Sequence, residues 1–520
     1  MKIRLIYLIN FMRTMKTIMN RKNVVLAMCM AGFFTIIPSV ISNVYATNVK
    51  YERINLKKRI YTEVKFTNKP LKRHITKHKN KSGTWKRHLK KQEEFTYSIK
   101  QQILSAKMRK KWREENTSYE TQINLNDIKN KYTNNKVEKK QKNKSVDLGL
   151  SDYRLNQGPD VEVGIISGDH EVQINAIDNF KIIADGKLLK EDYKGKSLLF
   201  SRDNNKVKLN GKQVGSTIYL KSDGEAPFSV KGNRYRGIMK VIPARWNSGL
   251  TIINILPMEN YLRGVIPREI IPSWKIDAIK AQAVAARTYA IFHKNGYRSA
   301  GYDVTADTRS QMYGGYSAET NSTDKAIRET EGEILTYNGS PIDAVFSANA
   351  GGYTENSENV WGSKVHYLRG VPEVPYSVID TPWTKEFTFQ TFSDSLNKHG
   401  INIGKLKNIK LSKLKKGPMS VSDRGISGRV KYIEVEGEKG TKRITGENMQ
   451  IIFDLDSTLF DLNVKNKGKK IEIIGYGDGH GLGLSQWGAQ AMAEKYGDGK
   501  NYYRRILSHY FTDTKIEKIY

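Results

Sequence analysis

The 520-residue sequence contains a single cysteine, Cys29, and it lies inside an N-terminal apolar run. Disulfide frameworks, cysteine-based zinc sites and cysteine nucleophiles are therefore excluded from the rest of the chain. Stability has to come from packing. Acidic residues are scarce as well: 53 Asp and Glu stand against 87 Lys and Arg, a formal net charge of +34. The shortage is uneven. Residues 1–46 hold six basic and no acidic residues, residues 47–150 hold 29 against 10, and the remainder holds 52 against 43. Between residues 294 and 365 there is neither histidine nor cysteine. A nucleotide cradle is also missing: the glycine spacing at 475–483 fits no nucleotide fingerprint, and no Lys-Ser/Thr follows it.

At the N-terminus, Lys2, Arg4, Arg13, Lys16, Arg21 and Lys22 precede the apolar run 24–41, and Val44-Tyr45-Ala46 offers small residues before a cut. This reads as an export segment, either cleaved after Ala46 or retained as an anchor. The remainder is then outside the cytoplasm, which argues against nucleic acid as a partner. Residues 47–150, rich in Lys, Asn, Gln and Thr, lack the apolar surface needed to offset the entropy of ordering. We expect a disordered basic segment, serving as a spacer or as a tether to anionic wall polymers or a membrane surface.

From about residue 157 the pattern becomes β-rich. The runs 161–167, 180–185, 206–210, 216–222, 236–242 and 250–256 read as strands, and Asp185-Gly186, Asn210-Gly211 and Asp223-Gly224 as hairpin turns. No chemistry is visible there, and we expect a sheet that supports the helix after Glu269. The chain is organised around residues 258–294. Pro267 and Pro272 bracket Glu269, which is expected on a stiff loop. A long helix comes next, with Ile279, Ala283, Ala286 and Ala290 on its apolar face and Lys280 and Arg287 on a second stripe, and with Gly296 as its stop. Residues 302–315 read as irregular, 323–332 as a capped helix, and 333–349 as two strands around Asn338-Gly339. The stretch Ala350–Glu355 reads as a tight loop where backbone can approach a ligand, and residues 380–470 carry no assignable chemistry. In the loop 475–483, His480 stands among glycines, with Ser485 as N-cap of a helix.

Three runs carry a resemblance. They are Tyr261–Glu269 (YLRGVIPRE) with Ser273-Trp274 and Ala278–Tyr289 (AIKAQAVAARTY); Phe346–Glu355 (FSANAGGYTE) with Asn359-Val-Trp361; and Gly479–Ala489 (GHGLGLSQWGA). In this order they resemble the SpoIID/LytB family of stage II sporulation protein D and amidase-enhancer proteins, over about residues 151–520. The resemblance implies an α+β domain, in which a β-rich supporting part (151–257) precedes a mixed α/β catalytic part (258–520). It also implies cleavage of peptidoglycan glycan strands by a lytic transglycosylase.

A hydrolytic glycosidase needs two carboxylates. A transglycosylase can use one, because the substrate's own C6 hydroxyl closes a 1,6-anhydro ring; Glu269 is the expected acid and base. Lys280, Arg287, Tyr289, Gly351, Gly352, His480, Ser485 and Gln486 are the expected substrate-binding residues, with Lys280 and Arg287 set back from the carboxyl so as not to lower its pKa. Glu259 and Asp277 are expected to be structural. Some relatives carry a zinc site near residues 302–315, but the missing His and Cys argue against one here, and neither a metal nor a cofactor is expected. The alternatives are a non-catalytic enhancer that binds the wall and stimulates a separate amidase, and a glycan-binding protein with a degenerate site.

Overall fold

The computed structural model describes residues 158–520, apart from 194–196, 223–227, 416 and 466–469, all within the unit Ile99–Tyr520. The export segment and the basic segment expected over residues 1–150 lie outside the described residues, as does the Asp223-Gly224 turn.

Twelve strands precede the first described helix. They are β1 (Asp160–Asp169), β2 (Glu171–Ala176), β3 (Phe180–Ala184), β4 (Lys187–Tyr193), β5 (Ser197–Asp203), β6 (Lys206–Leu209), β7 (Lys212–Gly215), β8 (Ile218–Ser222), β9 (Phe228–Val230), β10 (Asn233–Tyr235), β11 (Ile238–Pro243) and β12 (Leu250–Pro257). The six strands expected from sequence are all present. Asp185-Gly186 and Asn210-Gly211 turn the β3–β4 and β6–β7 hairpins with both residues at positive φ, between 45° and 83°. The remaining strands, β2, β4, β5, β7, β9 and β10, are short or carry charge on one face and give weaker patterns. One sheet has the order β10-β9-β2-β5-β6-β7. The other, joined by the two-residue β13 (Val304–Thr305), runs β13-β1-β12-β11-β8-β3-β4. In β12, near the middle of that sheet, all eight residues are buried, which is why LTIINILP reads as a continuous apolar run rather than an alternating one.

β12 leads directly into helix α1 (Met258–Glu269), and α2 (Ile276–Phe292) follows. Here the structure corrects one expectation: Pro267 lies within α1, and Glu269 is the last residue of the helix rather than a loop residue. A proline so near the C-terminus removes only the donor that would meet the Arg263 carbonyl. The surrounding residues Leu262, Val265, Ile266 and Ile270 are buried, so packing outweighs that loss.

A second correction concerns α2. Its expected apolar face is buried, but so is nearly every other residue, Lys280 and Arg287 included. The Arg287 guanidinium is fully buried and paired in two places with Glu259, Nε to Oε1 at 2.8 Å and Nη2 to Oε2 at 2.7 Å. The C-terminal Tyr520 hydroxyl also donates to Glu259. Burial opposes the Arg287 charge, yet Glu259 and Tyr520 hold it more firmly protonated than usual. Lys280 reaches Glu329 at 2.7 Å and the Lys500 carbonyl at 2.8 Å. Neither cation is available to a ligand. They tie α2 to α1 and to the C-terminal part of the chain. Lys280 and Arg287 were expected to bind substrate; both are structural. The helix ends at Phe292 with His293 as its cap, three residues before Gly296.

Beyond α2 come α3 (Asn321–Glu329), capped by Thr320, then β14 (Glu333–Tyr337), β15 (Ser340–Pro341) and β16 (Phe346–Ser347). Asn338-Gly339 turns β14 into β15, as expected. Helix α4 (Ser357–Trp361) leads into a separate small core made from β17 (Trp383–Thr388), α5 (Phe389–Lys398), β18 (Leu406–Lys410), β19 (Tyr432–Gly437), β20 (Gly440–Thr445), α6 (Gly446–Phe453), β21 (Phe460–Lys465) and β22 (Lys470–Gly475). Its interior holds Phe392 and Phe453, stacked 4.3 Å apart, with Leu396, Ile433, Phe460 and Ile473. The chain then returns to the main core through β23 (Leu484–Ser485), α7 (Gln486–Tyr496), α8 (Tyr503–Tyr510) and β24 (Lys515–Lys518), which pairs with β14. The class is α+β. Among the described residues no helix is long and apolar enough to cross a membrane.

Removing one partner of a buried pair leaves an uncompensated charge, at a cost of about 3–5 kcal/mol. Arg287→Ala should lose that much in urea unfolding, and Glu259→Gln in the same chain should restore part of it. A loss no larger than that of an exposed arginine would contradict the structural assignment.

Candidate functional site

The site is built where the end of α1 meets the loop before α3 and the start of α7. Gly264 on α1 has no Cβ, and one placed there would lie 2.5 Å from the Tyr313 ring. That gap lets residues 311–315 lie against the helix, with Gly314 N–H donating to the Gly264 carbonyl at 2.9 Å. Tyr313 stacks on Tyr261 at 5.4 Å and donates to the buried Asn254 at 2.6 Å, while Tyr261 donates to Gln311 at 2.9 Å. So fixed, the segment points the Met312 N–H at Glu269 Oε1, 2.6 Å away. The residues that read as irregular are thus the ones that hold the carboxyl.

Gln486, the first residue of α7, adds to this backbone bond a hydrogen bond from its side chain to Glu269. Gln486 Nε2 also lies 3.4 Å from Gln282 Oε1 on α2. Burial pushes the Glu269 carboxyl up to about 7, against the opposing pull of the Met312 and Gln486 hydrogen bonds and of the Arg268 charge. The expected conflict with Lys280 and Arg287 does not arise, because both are spent elsewhere.

The two glycine loops are joined to each other. β16 pairs with β23 in parallel, and Asn349 and Asp478 exchange backbone hydrogen bonds of 3.1 and 2.8 Å. Gly351 and Gly352 have φ of +79° and +101°, so only glycine fits without strain. A Cβ on Gly351 would meet Leu459, whereas one on Gly352 would meet nothing within 4 Å; its N–H donates to Glu373 at 2.8 Å. Ser485 is fully buried and caps α7, accepting from Gly488 N–H at 3.3 Å and from Ala350 N–H at 3.2 Å. It supports the site without facing a ligand, contrary to the expectation. His480 accepts the Leu482 N–H on Nδ1 at 3.0 Å, with its ring 6.1 Å from Trp361. Tyr289 packs against Phe346 at 6.3 Å and His293 at 4.1 Å. The buried Tyr261 hydroxyl, raised by desolvation, also feels Tyr289 and Glu269, which places these groups together. Trp274 and Trp487 pack at a tilt, their rings 4.5 Å apart, with Tyr376 5.9 Å from Trp487.

Three residues here had no assigned role in the sequence. Arg429 comes from the stretch that carried no chemistry; it donates to the carbonyls of Gly479 at 3.0 Å and Ala350 at 3.1 Å, fastening both glycine loops. Its burial lowers its pKa to about 10 despite nearby Glu355, Glu373 and Asp478. Glu355, fully buried, accepts from Asn359, Ile426 and Ser427 within 3.0 Å. Glu373 holds Gly352 and has its own pKa raised by burial. Among the described residues no group of three His, Cys, Asp or Glu is placed to hold a metal.

The sequence around this site is similar to known proteins. The family model described as SpoIID, stage II sporulation protein, matches residues 246–337, which run from β12 through α2 to β14. A second model, a domain of unknown function, matches residues 357–483. An uncharacterised protein of Brachyspira hyodysenteriae is 33% identical over 320 residues, covering 60% of this chain and 80% of that protein. The amidase enhancer of Bacillus subtilis is 34% identical over 347 residues, 59% of this chain but only 48% of that protein. Stage II sporulation protein D of Bacillus subtilis is 30% identical over 302 residues, covering 53% of this chain and 79% of its own length. With Glu269, the two glycine loops and Gln486 gathered by one fold, and with most of a stage II sporulation protein D aligned to it, the chain belongs to the SpoIID/LytB family.

Proposed function

We propose that the protein acts outside the cytoplasm on the cell wall, as a lytic transglycosylase of peptidoglycan glycan strands. The observation that carries this reading is Glu269: a single, part-buried carboxyl with its pKa near 7, held by Met312 N–H and Gln486. A general acid works best with its pKa near the operating pH. No other carboxylate is among the groups that set the Glu269 pKa, which suits a reaction needing one carboxyl better than a hydrolysis needing two. In the first half of the reaction the protonated Glu269 gives its proton to the glycosidic oxygen as the bond to C1 breaks. The resulting carboxylate, stabilised by the Met312 and Gln486 donors, then takes the proton of the C6 hydroxyl as that oxygen bonds to C1. The 1,6-anhydro ring closes, no water is consumed, and Glu269 is again protonated.

A second reading, a wall-bound stimulator of a separate amidase, is favoured by the likeness to the amidase enhancer. The two separate on products. Glu269→Gln keeps the size of the side chain but cannot donate and recover a proton. It should lose at least about 10²-fold in rate, with wild type leaving anhydromuramyl ends in mass spectrometry. Reducing ends would mean a hydrolase; no cleavage by either form, with amidase stimulation in both, would favour the enhancer.

The pH dependence follows from the same carboxyl. kcat/KM should fall as the pH rises through about 7, when Glu269 loses its proton. Gln486→Leu removes a donor that favours the charged form, so this limb should move to higher pH; an unmoved limb would show that Gln486 does not tune the acid. Stability falls in the same direction. The folded pKa lies above the ordinary 4.5, so stability contributed by Glu269 is present at low pH and lost as the pH rises to about 7. The melting temperature of Glu269→Gln relative to wild type should therefore increase from about pH 5 to about pH 8. A constant difference would rule out the raised pKa.

A further inference from the structure

A surface hollow lies where α7 ends and α8 begins, lined by Tyr496, Asp498, Asn501, Tyr502 and Arg505. Its loop is held in place. Asp498 Oδ1 accepts the N–H groups of Lys500, Asn501 and Tyr502 at 2.8, 3.0 and 3.2 Å. Asp277, at the start of α2, accepts Gly499 N–H at 2.7 Å, and Lys280 holds the Lys500 carbonyl at 2.8 Å. Within this frame Tyr496 is 49% exposed, and its ring lies 6.1 Å from that of Tyr502. Among the described residues the Arg505 guanidinium has no ion-pair partner and the Asn501 side chain no hydrogen-bond partner. Along the chain Lys495, Lys500 and Arg505 flank Asp498, and the two acids at this loop, Asp498 and Asp277, are spent on backbone N–H groups.

Such a surface has the parts that recognise an acidic amino-sugar chain. The tyrosine faces suit the apolar faces of pyranose rings, the Asn501 amide suits an acetamido group, and a free guanidinium suits a carboxylate. The positive balance also disfavours docking of the chain's own basic segment. We propose that this hollow is a second glycan subsite, which holds the free lactyl carboxylate and sugar faces of a peptide-free peptidoglycan strand away from the bond near Glu269. The proposal rests on the glycan reading of the Glu269 site. The two places are linked through α7: Gln486 at its start touches Glu269, and Tyr496 at its end lines the hollow. Ten residues of helix span about 15 Å, so a short fragment seated at Glu269 does not reach the hollow and a long strand does.

The test uses the full chain carrying Glu269→Gln, so that strands stay intact, with size-fractionated peptide-free glycan and a muramyl disaccharide as probes. Tyr496 and Arg505 are exposed, so Tyr496→Ala with Arg505→Ala leaves the fold intact. This change should weaken long-strand binding about tenfold and leave the disaccharide unaffected. In chains that retain Glu269, the same change should raise KM for long strands with kcat unchanged. Equal long-strand affinity with and without the two side chains overturns the proposal. So does an equal loss for the disaccharide, which would assign these residues to the cleavage groove, or competition by a phosphate-bearing wall polymer but not by glycan. If long strands bind through Tyr496 and Arg505 while the chain retaining Glu269 releases no anhydro ends, the cleavage reading fails and the subsite stands.

Discussion

The Glu269 carboxyl is held between two opposing effects, and the rest of the domain sets their balance. Burial favours the neutral acid; the Met312 N–H and the Gln486 side chain favour the carboxylate. If burial acted alone, the carboxyl would keep its proton well above neutral pH. If the hydrogen bonds prevailed, no proton would remain at neutral pH. A value near 7 requires both, and the donors come from elements far along the chain, one 43 residues beyond Glu269 and the other at the start of α7. That explains why the site needs a domain built around it rather than a local motif.

The main core serves this placement. β12 is buried on both faces and aims α1; Gly264 gives room for Tyr313; Tyr313 and Tyr261 then lock the segment that carries Met312. The Glu259–Arg287 pair and the Tyr520 hydroxyl close the far end of the same helix onto α2 and the C-terminus. A buried pair of this kind contributes little net stability but makes the wrong packing costly. We read it as a device that sets how α1 lies on α2, and hence where Glu269 ends up.

Much of this was legible in the sequence where local rules decide. Turn pairs such as Asn210-Gly211 require positive φ at both positions, and the glycines at 477, 479, 481 and 483 adopt it. Ser485 caps α7 because its hydroxyl meets an otherwise unpaired N–H. Local rules failed where tertiary contacts decide. A proline before Glu269 reads as a helix stop, but buried neighbours on α1 outweigh one lost donor. Two cations seven residues apart read as a displayed stripe, but α2 is enclosed on nearly every side, so Lys280 and Arg287 serve partners that periodicity does not reveal. Arg429 carried no signal at all, since its partners are backbone carbonyls, and any sequence supplies those.

That last residue explains the small core inserted between the two glycine loops. A loop rich in glycine gains freedom to approach a ligand and loses the entropy advantage of a defined shape. Here the lost order is supplied from outside the loops. Arg429 reaches out of the inserted core to the carbonyls of Ala350 and Gly479, and Glu355 is clamped by the N–H groups of Ile426 and Ser427. Gly481 sits against the Arg429 guanidinium, where a Cβ would collide at 2.3 Å. The insertion and the glycines therefore fit one another: the arginine needs the missing side chain, and the flexible loops need the arginine. The inserted segment thus fixes the backbone that leads, through Ser485, to Gln486 beside the Glu269 carboxyl.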